Sequence, residues 1–429
     1  MAFKRVVVMV HCCTLFCAEI LLLNYVVARA AKSNGHIYIC MNEGLDEIPP
    51  DVNRDVLSLI LDGNHFGPHL SNFYFSQFEN LQNLSLVNNR ISDVYSDTFS
   101  GTCIQTLDLS ENLFVSFPDL GGIRQSLTNV NFAKNSIASV EPSVIEPLAS
   151  IKEIDISCNR LDSLDSFISL NATLIEMYIG MNNIAELQWA FMHFIKLTTL
   201  DLQDNSLGSS DLSHSFVNTS IKSLCLDDCS LTNFPNVSNV GLSLMYLDLA
   251  GNRISFIDSS IVRTLVVLRK LSLSHNRLTN IDAIQTLSST LTFLSLRENN
   301  ITELSIDFFD EFSLRFLGLG NNQFREIHLA TRSGRHLRTL VADKCDLSEV
   351  TYATARTMKA IQTLNLANNF ITELPWLPEL SDTLVSLELQ GNKISYIPPS
   401  FFNAMIVLST LDLSGNPLIT MSDVSTYKF

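Results

Sequence analysis

Residues 244–257 read Leu-Met-Tyr-Leu-Asp-Leu-Ala-Gly-Asn-Arg-Ile-Ser-Phe-Ile, with apolar side chains at the first, fourth, sixth, eleventh and fourteenth places and Asn at the ninth. The same phrase returns along the chain, as in Leu81, Leu84, Leu86, Asn89 and Ile91. Its ninth position marks sixteen repeats: Asn64, Asn89, Asn112, Asn135, Asn159, Asn182, Asn205, Cys229, Asn252, Asn276, Asn299, Asn322, Cys345, Asn369, Asn392 and Asn416. The first interval is 25 residues and every later one is 23 or 24, a regularity that separate domains would not keep.

Each place in the phrase has a physical cause. Alternation at positions four and six describes a short strand that sends every second side chain into a core. The chain must then turn, and a column of Asn side chains can satisfy the buried backbone groups of successive turns, with Cys as the substitute at 229 and 345. Position fourteen closes the core with Val94, Phe117, Val140, Leu164 and their successors; Ser210 breaks that series, and either Ser209-Ser210-Asp211 forms a local bulge on the convex side or Leu212 fills the gap.

This phrase resembles the leucine-rich-repeat family, over about residues 56–429. The resemblance implies an α/β solenoid: a horseshoe with a parallel concave sheet, about sixteen repeats of 23–25 residues, and irregular or short helical turns behind it. Upstream, Cys40 and the run Leu45-Asp46-Glu47-Ile48-Pro49 are similar to the amino-terminal cap of extracellular proteins of the Slit and Toll-like type. Those caps usually carry four cysteines; here Cys40 stands alone and reads as a buried thiol. The expected organisation is a leader at 1–30, a cap at 31–55 and the solenoid at 56–429. No cysteine-rich cap follows the last phrase, so its edge is expected to be shortened relative to its relatives or covered by a partner, self-association included.

Composition narrows the class. The 429 residues are 46% hydrophobic and 17% charged, with 16 Gly and 12 Pro, which excludes a disordered or collagen-like chain. The net charge is −16, which argues against a general nucleic-acid binder. Lys4 and Arg5 precede an apolar run to Val27, and Ala28-Arg29-Ala30 supplies the small residues of a cleavage site, so a secretory leader is expected. An uncleaved membrane anchor is the rival reading, opposed by His11, Glu19 and Asn24 within the run. Localisation is therefore expected to be secreted or on the outer cell surface. Sequons at Asn83, Asn171, Asn218, Asn236 and Asn300 are candidate glycan acceptors, at about the number chance would supply.

Positions two, three, five, seven and eight project away from the core, so the chemistry of the concave face is legible. Repeats three to eight are acidic there, with Asp155, Asp201, Asp204, Asp227 and Asp228 among nine carboxylates against three lysines; Asp248 continues the patch. Repeats nine to thirteen reverse the sign through Arg269, Lys270, Arg297, Arg315 and Arg338. At position three, Tyr246, Lys270, Phe293 and Phe316 follow one another on consecutive repeats, a ladder expected to serve as a binding hot spot or to pack on itself. The acidic stripe reads as a surface that steers a basic ligand rather than a metal site, because carboxylates on a flat sheet diverge.

No metalloprotease, P-loop, nucleophile-elbow or dinucleotide phrase occurs; Gly318-Leu319-Gly320 lies inside a repeat. No catalytic residue, cofactor or metal is expected. The functional expectation is a non-catalytic extracellular recognition protein that takes a protein or glycan ligand on its concave sheet. Two alternatives stand beside it: part of the ectodomain of a receptor or adhesion protein, and a self-associating matrix protein. A membrane would be met only through the uncleaved leader or a missing segment.

Overall fold

The computed structural model describes residues 32–33 and 36–418, apart from 188–190, 193, 209, 305–307, 310, 325, 328–333, 375–376, 398–400 and 402–403. The leader read at residues 1–30 lies outside the described residues. The chain divides into two compact units, an N-terminal one of Met1–Ser206 with His214–Cys225 and a C-terminal one of Leu207–Ser213 with Leu226–Phe429.

The N-terminal unit carries β1 (Lys32–Ser33), β2 (Ile37–Ile39), β3 (Ser58–Ile60), β4 (His69–Leu70), β5 (Asn83–Ser85), β6 (Asp93–Val94), β7 (Thr106–Asp108), β8 (Asn129–Asn131), β9 (Glu153–Asp155), β10 (Glu176–Tyr178), β11 (Thr199–Asp201) and β12 (Ser223–Cys225). Strand β1 pairs antiparallel with β2, and β2 pairs parallel with β3. From β3 the ladder runs parallel through β5, β7, β8, β9, β10, β11 and β12. Strands β4 and β6 form a separate parallel pair. The C-terminal unit holds β13 (Tyr246–Asp248), β14 (Lys270–Ser272), β15 (Phe293–Ser295), β16 (Phe316–Gly318), β17 (Thr339–Val341), β18 (Thr363–Asn365), β19 (Ser386–Glu388) and β20 (Thr410–Asp412). These pair in chain order, all parallel. Each repeat thus spends positions three to five on a strand, in a register that always sets like position against like, as Tyr246 against Lys270.

Each unit is a parallel-sheet solenoid with one strand per phrase. Position-four side chains such as Leu107, Leu271 and Leu294 are fully buried, and so are Leu109, Leu273 and Leu296 at position six. Each such leucine contributes roughly 2 kcal/mol by leaving water. Among the described residues helix is sparse: α1 (Pro142–Ile145), α2 (Ser259–Val262), α3 (Tyr352–Thr357) and several 3₁₀ turns, because a period of 23 or 24 residues leaves room for little more than one turn behind each strand. Leu212, two residues beyond Ser210, is buried.

The Asn column works as the sequence implied. Asn252 Nδ2 donates to the carbonyls of Leu226 (2.8 Å), Leu249 (3.0 Å) and Ala250 (2.9 Å), while its Oδ1 accepts the Leu231 N–H at 2.8 Å. Asn112 and Asn276 repeat the pattern. At 345 the thiol takes over part of this role, with Sγ 3.3 Å from the Leu319 carbonyl oxygen, and burial pushes its pKa up to about 12. Cys40 is buried and carries no disulfide.

Two features of the turn were not read from the sequence. The residue at position eight is left-handed in every repeat, with φ between 50° and 70°, whether Gly63, Asn88, Lys134, Met181, Asp204 or His275. None of the sixteen is β-branched, the side-chain shape that conformation tolerates least. Secondly, Asp or Asn at position five accepts the N–H of position seven: Asp108 from Ser110, Asn131 from Ala133, Asp155 from Ser157, Asp201 from Gln203, Asp248 from Ala250 and Asn365 from Ala367, at 2.8–3.0 Å. The side chain bends the strand exit toward the left-handed residue. At the last described strand, Leu411 and Leu413 are half-buried where Leu387 and Leu389 of the preceding repeat are fully buried.

Candidate recognition surface

In the N-terminal unit the sheet face carries carboxylates that the fold itself uses. Asp62 accepts from Ser85 Oγ (2.6 Å) and the Val87 N–H (2.9 Å). Asp108 accepts from Ser110 twice and from Asn131 Nδ2 at 3.2 Å, and Asp155 from the N–H and Oγ of Ser157. Burial raises the pKa of all three from the ordinary aspartate value, against those hydrogen bonds, and a nearby carboxylate adds to it: Asp108 for Asp62 and Asp155, Glu111 for Asp108. Glu153 is raised by burial and by Glu176 and Asp155 beside it.

This corrects the acidic stripe. Asp201 and Asp227 are buried rather than outward-facing, and Asp155 and Asp248 are half-buried turn-formers. Only Asp204 and Asp228, on the left-handed position-eight corner, are exposed. The six also divide between the units: Asp155, Asp201 and Asp204 in the N-terminal one, Asp227, Asp228 and Asp248 in the other. Position five alternates with the core and so counts as an outward place, yet its carboxylates lean onto the turn. Among the described residues no group of three or more His, Cys, Asp or Glu is placed to hold a metal ion.

The C-terminal unit brings the aromatic and basic residues together. Phe293 and Phe316 sit opposite each other on β15 and β16 with ring centroids 4.4 Å apart and planes 10° from parallel. On β13 and β14, Lys270 Nζ lies 5.0 Å from the Tyr246 ring centre. Three of these four side chains are half-buried and Lys270 is exposed, so the ladder packs on itself and still presents its edges to solvent.

Gly318 and Gly320 explain how the rings lie down. A Cβ on Gly318 would stand 3.2 Å from the Phe316 ring and 3.3 Å from the Arg297 stem, and one on Gly320 would stand 2.1 Å from Asp343 Oδ1. The missing side chains let Arg297 reach across repeat twelve to Asp343, at 3.3 Å from its carboxylate. Arg297, one of the cations of the basic repeats, is thereby committed to a partner within its own sheet. The glycine pair carried no weight as a dinucleotide motif; its use is this notch.

Arg269, Arg315 and Arg338 are exposed and, among the described residues, make no ion pair. Beside the strand starts a depression of about 460 Å³ is lined by Tyr246, Val266, Val267 and Arg315. Arg269, Lys270, Ser289, Thr290 and Thr292 complete its wall.

Two overlapping segments of this same unit, residues 242–289 and 267–324, match the family model described as leucine rich repeat, and residues 383–405 match a second model of that description. The chain is a leucine-rich-repeat protein. Mouse podocan is 27% identical over 92% of this chain and 57% of its own length, and mouse CD180 antigen is 25% identical over 90% of this chain and 60% of its own. This leucine-rich-repeat protein therefore spans less than two thirds of either relative. A solved leucine-rich-repeat protein of Leptospira interrogans superposes with a TM-score of 0.65 at 23% identity, covering 89% of this chain and 90% of that one, a likeness of fold.

The sequons of this leucine-rich-repeat protein differ in what they offer. Asn83, Asn218 and Asn300 are exposed, Asn83 on the sheet face of β5. Asn171 is half-buried at the end of a 3₁₀ turn, and Asn236 Oδ1 already accepts from the N–H and Oγ of Ser238. His193 and His328 lie outside the described residues; His275 Nδ1 stands 2.9 Å from a Glu298 carboxylate oxygen on the turn corner.

Proposed function

We propose that this chain is a non-catalytic recognition protein of the extracellular space, and that it takes a protein ligand on the sheet face of the C-terminal unit. One observation carries the reading. Four consecutive strands present Tyr246, Lys270, Phe293 and Phe316 beside three arginines without ion-pair partners, the residue types that dominate protein interfaces. The resemblance to leucine-rich repeats implies that this face is the concave one. Secretion is supported by the leader read at residues 1–30. The test is capture of extracellular binders with the chain from Ala31 onward and with the Phe293→Ser/Phe316→Ser variant. The reading stands if a binder is lost with the two rings. It fails if the same binders come down undiminished.

A further inference from the structure

We infer that the depression beside the starts of β13 to β16 binds sulfate esters of a linear anionic glycan, with Arg269, Lys270 and Arg315 on the sulfates and Ser289, Thr290 and Thr292 on the sugar hydroxyls. The inference rests on the reading of this face as a recognition surface, and names a ligand class the protein-binding proposal does not. Its wall holds three cations, the hydroxyls of Tyr246, Ser289, Thr290 and Thr292, and no carboxylate. Arg269 and Arg315 are not neutralised by any described residue, so their guanidinium forks remain available for planar, charge-assisted contact with sulfate oxygens.

Geometry favours a chain of sugars over other polyanions. Arg269, Arg315 and Arg338 stand at position two of repeats ten, twelve and thirteen, so with strands ~4.8 Å apart the cations form a row whose steps are one or two strand spacings. A pyranose residue spans about one such spacing. A nucleic acid would need open aromatic faces for its bases, whereas Lys270 lies over Tyr246 and Phe293 and Phe316 cover each other. A sulfated or acidic peptide would seek a free strand edge or apolar sockets; these strands are paired on both sides within β14 to β16, and the depression offers two valines.

The experiment titrates the chain with a heparin-derived octasaccharide, the same octasaccharide after desulfation, and a sulfotyrosine peptide, by calorimetry at low and physiological salt. Expected are binding of the sulfated sugar, weakening with salt, loss of most affinity on desulfation, and a loss of about ten-fold or more in Arg269→Gln/Arg315→Gln. Arg253→Gln/Arg277→Gln, exposed cations of the same unit away from the depression, should change it by no more than about two-fold. Phe293→Ser/Phe316→Ser should keep the sugar while losing the protein ligand, so the two proposals fail separately. Equal binding by the desulfated sugar overturns the inference. So does an equal loss in the two arginine variants, tighter binding of the peptide, or no binding at low salt.

Discussion

The two units build the same turn, and they part at repeats eleven and twelve of the C-terminal unit, where position five carries no turn-forming carboxylate or amide. In the N-terminal unit, carboxylates at position five are drawn onto the backbone, half-buried, their charge disfavoured and their oxygens occupied. In the C-terminal unit, repeats eleven and twelve carry Ser295 and Gly318 at that position, and the space is taken by rings and by one arginine that crosses the gap. The charges over whole units follow: 12 Lys and Arg against 23 Asp and Glu in the first, 16 against 21 in the second. An outward position in a repeat is therefore a recognition position only where the turn does not already use its side chain.

That contrast can be broken at several depths. The largest effect should ignore it. Asn112→Ala and Asn276→Ala each strand several buried backbone groups, and each is expected to cost about 3 kcal/mol in urea unfolding followed by circular dichroism. A markedly unequal pair would show that the columns are not equivalent. Next, Phe293→Ser/Phe316→Ser is expected to remove about 2 kcal/mol of partner affinity, whereas Thr106→Ser/Asn129→Ser, the same strand position in the N-terminal unit, should leave it unchanged. Surface plasmon resonance on a captured binder decides between them.

A smaller effect tests the shared turn again. Asn88→Val and Asn321→Val put a β-branched residue at φ of 51° and 56°, and both should lower stability by about 1–2 kcal/mol, read as a fall in Tm. The smallest effect is confined to the N-terminal unit. Folding raises the pKa of Asp62, Asp108 and Asp155, so the folded form holds those protons more tightly than the unfolded chain. Their contribution is fully present below the ordinary aspartate pKa of about 3.9 and is lost as pH rises through the raised folded values. Hydrogen exchange should therefore show β7 and β9 better protected in mild acid than at neutral pH. Asp108→Asn/Asp155→Asn, which keeps an oxygen for the turn as Asn131 and Asn365 do, should flatten that dependence and stabilise by about 0.5 kcal/mol at pH 7. A steeper dependence in the variant would contradict the role assigned to these side chains.

The phrase length, the strand positions, the buried leucines and the Asn column were all legible in the amino-acid sequence, because each is a local demand repeated sixteen times: alternate burial in a short strand, then polar satisfaction in a tight turn. The aromatic ladder was legible for the same reason, since a parallel register in which like meets like carries Tyr246, Lys270, Phe293 and Phe316 into line. What the tertiary structure alone decided is which outward side chains remain free. Asp201 and Asp227 are buried, Arg297 is held by Asp343 across two repeats, and the left-handed corner accepts lysine and methionine as well as glycine. Those outcomes depend on distances between side chains in neighbouring coils and on backbone torsion at a single residue, neither of which is a property of residue type at a position.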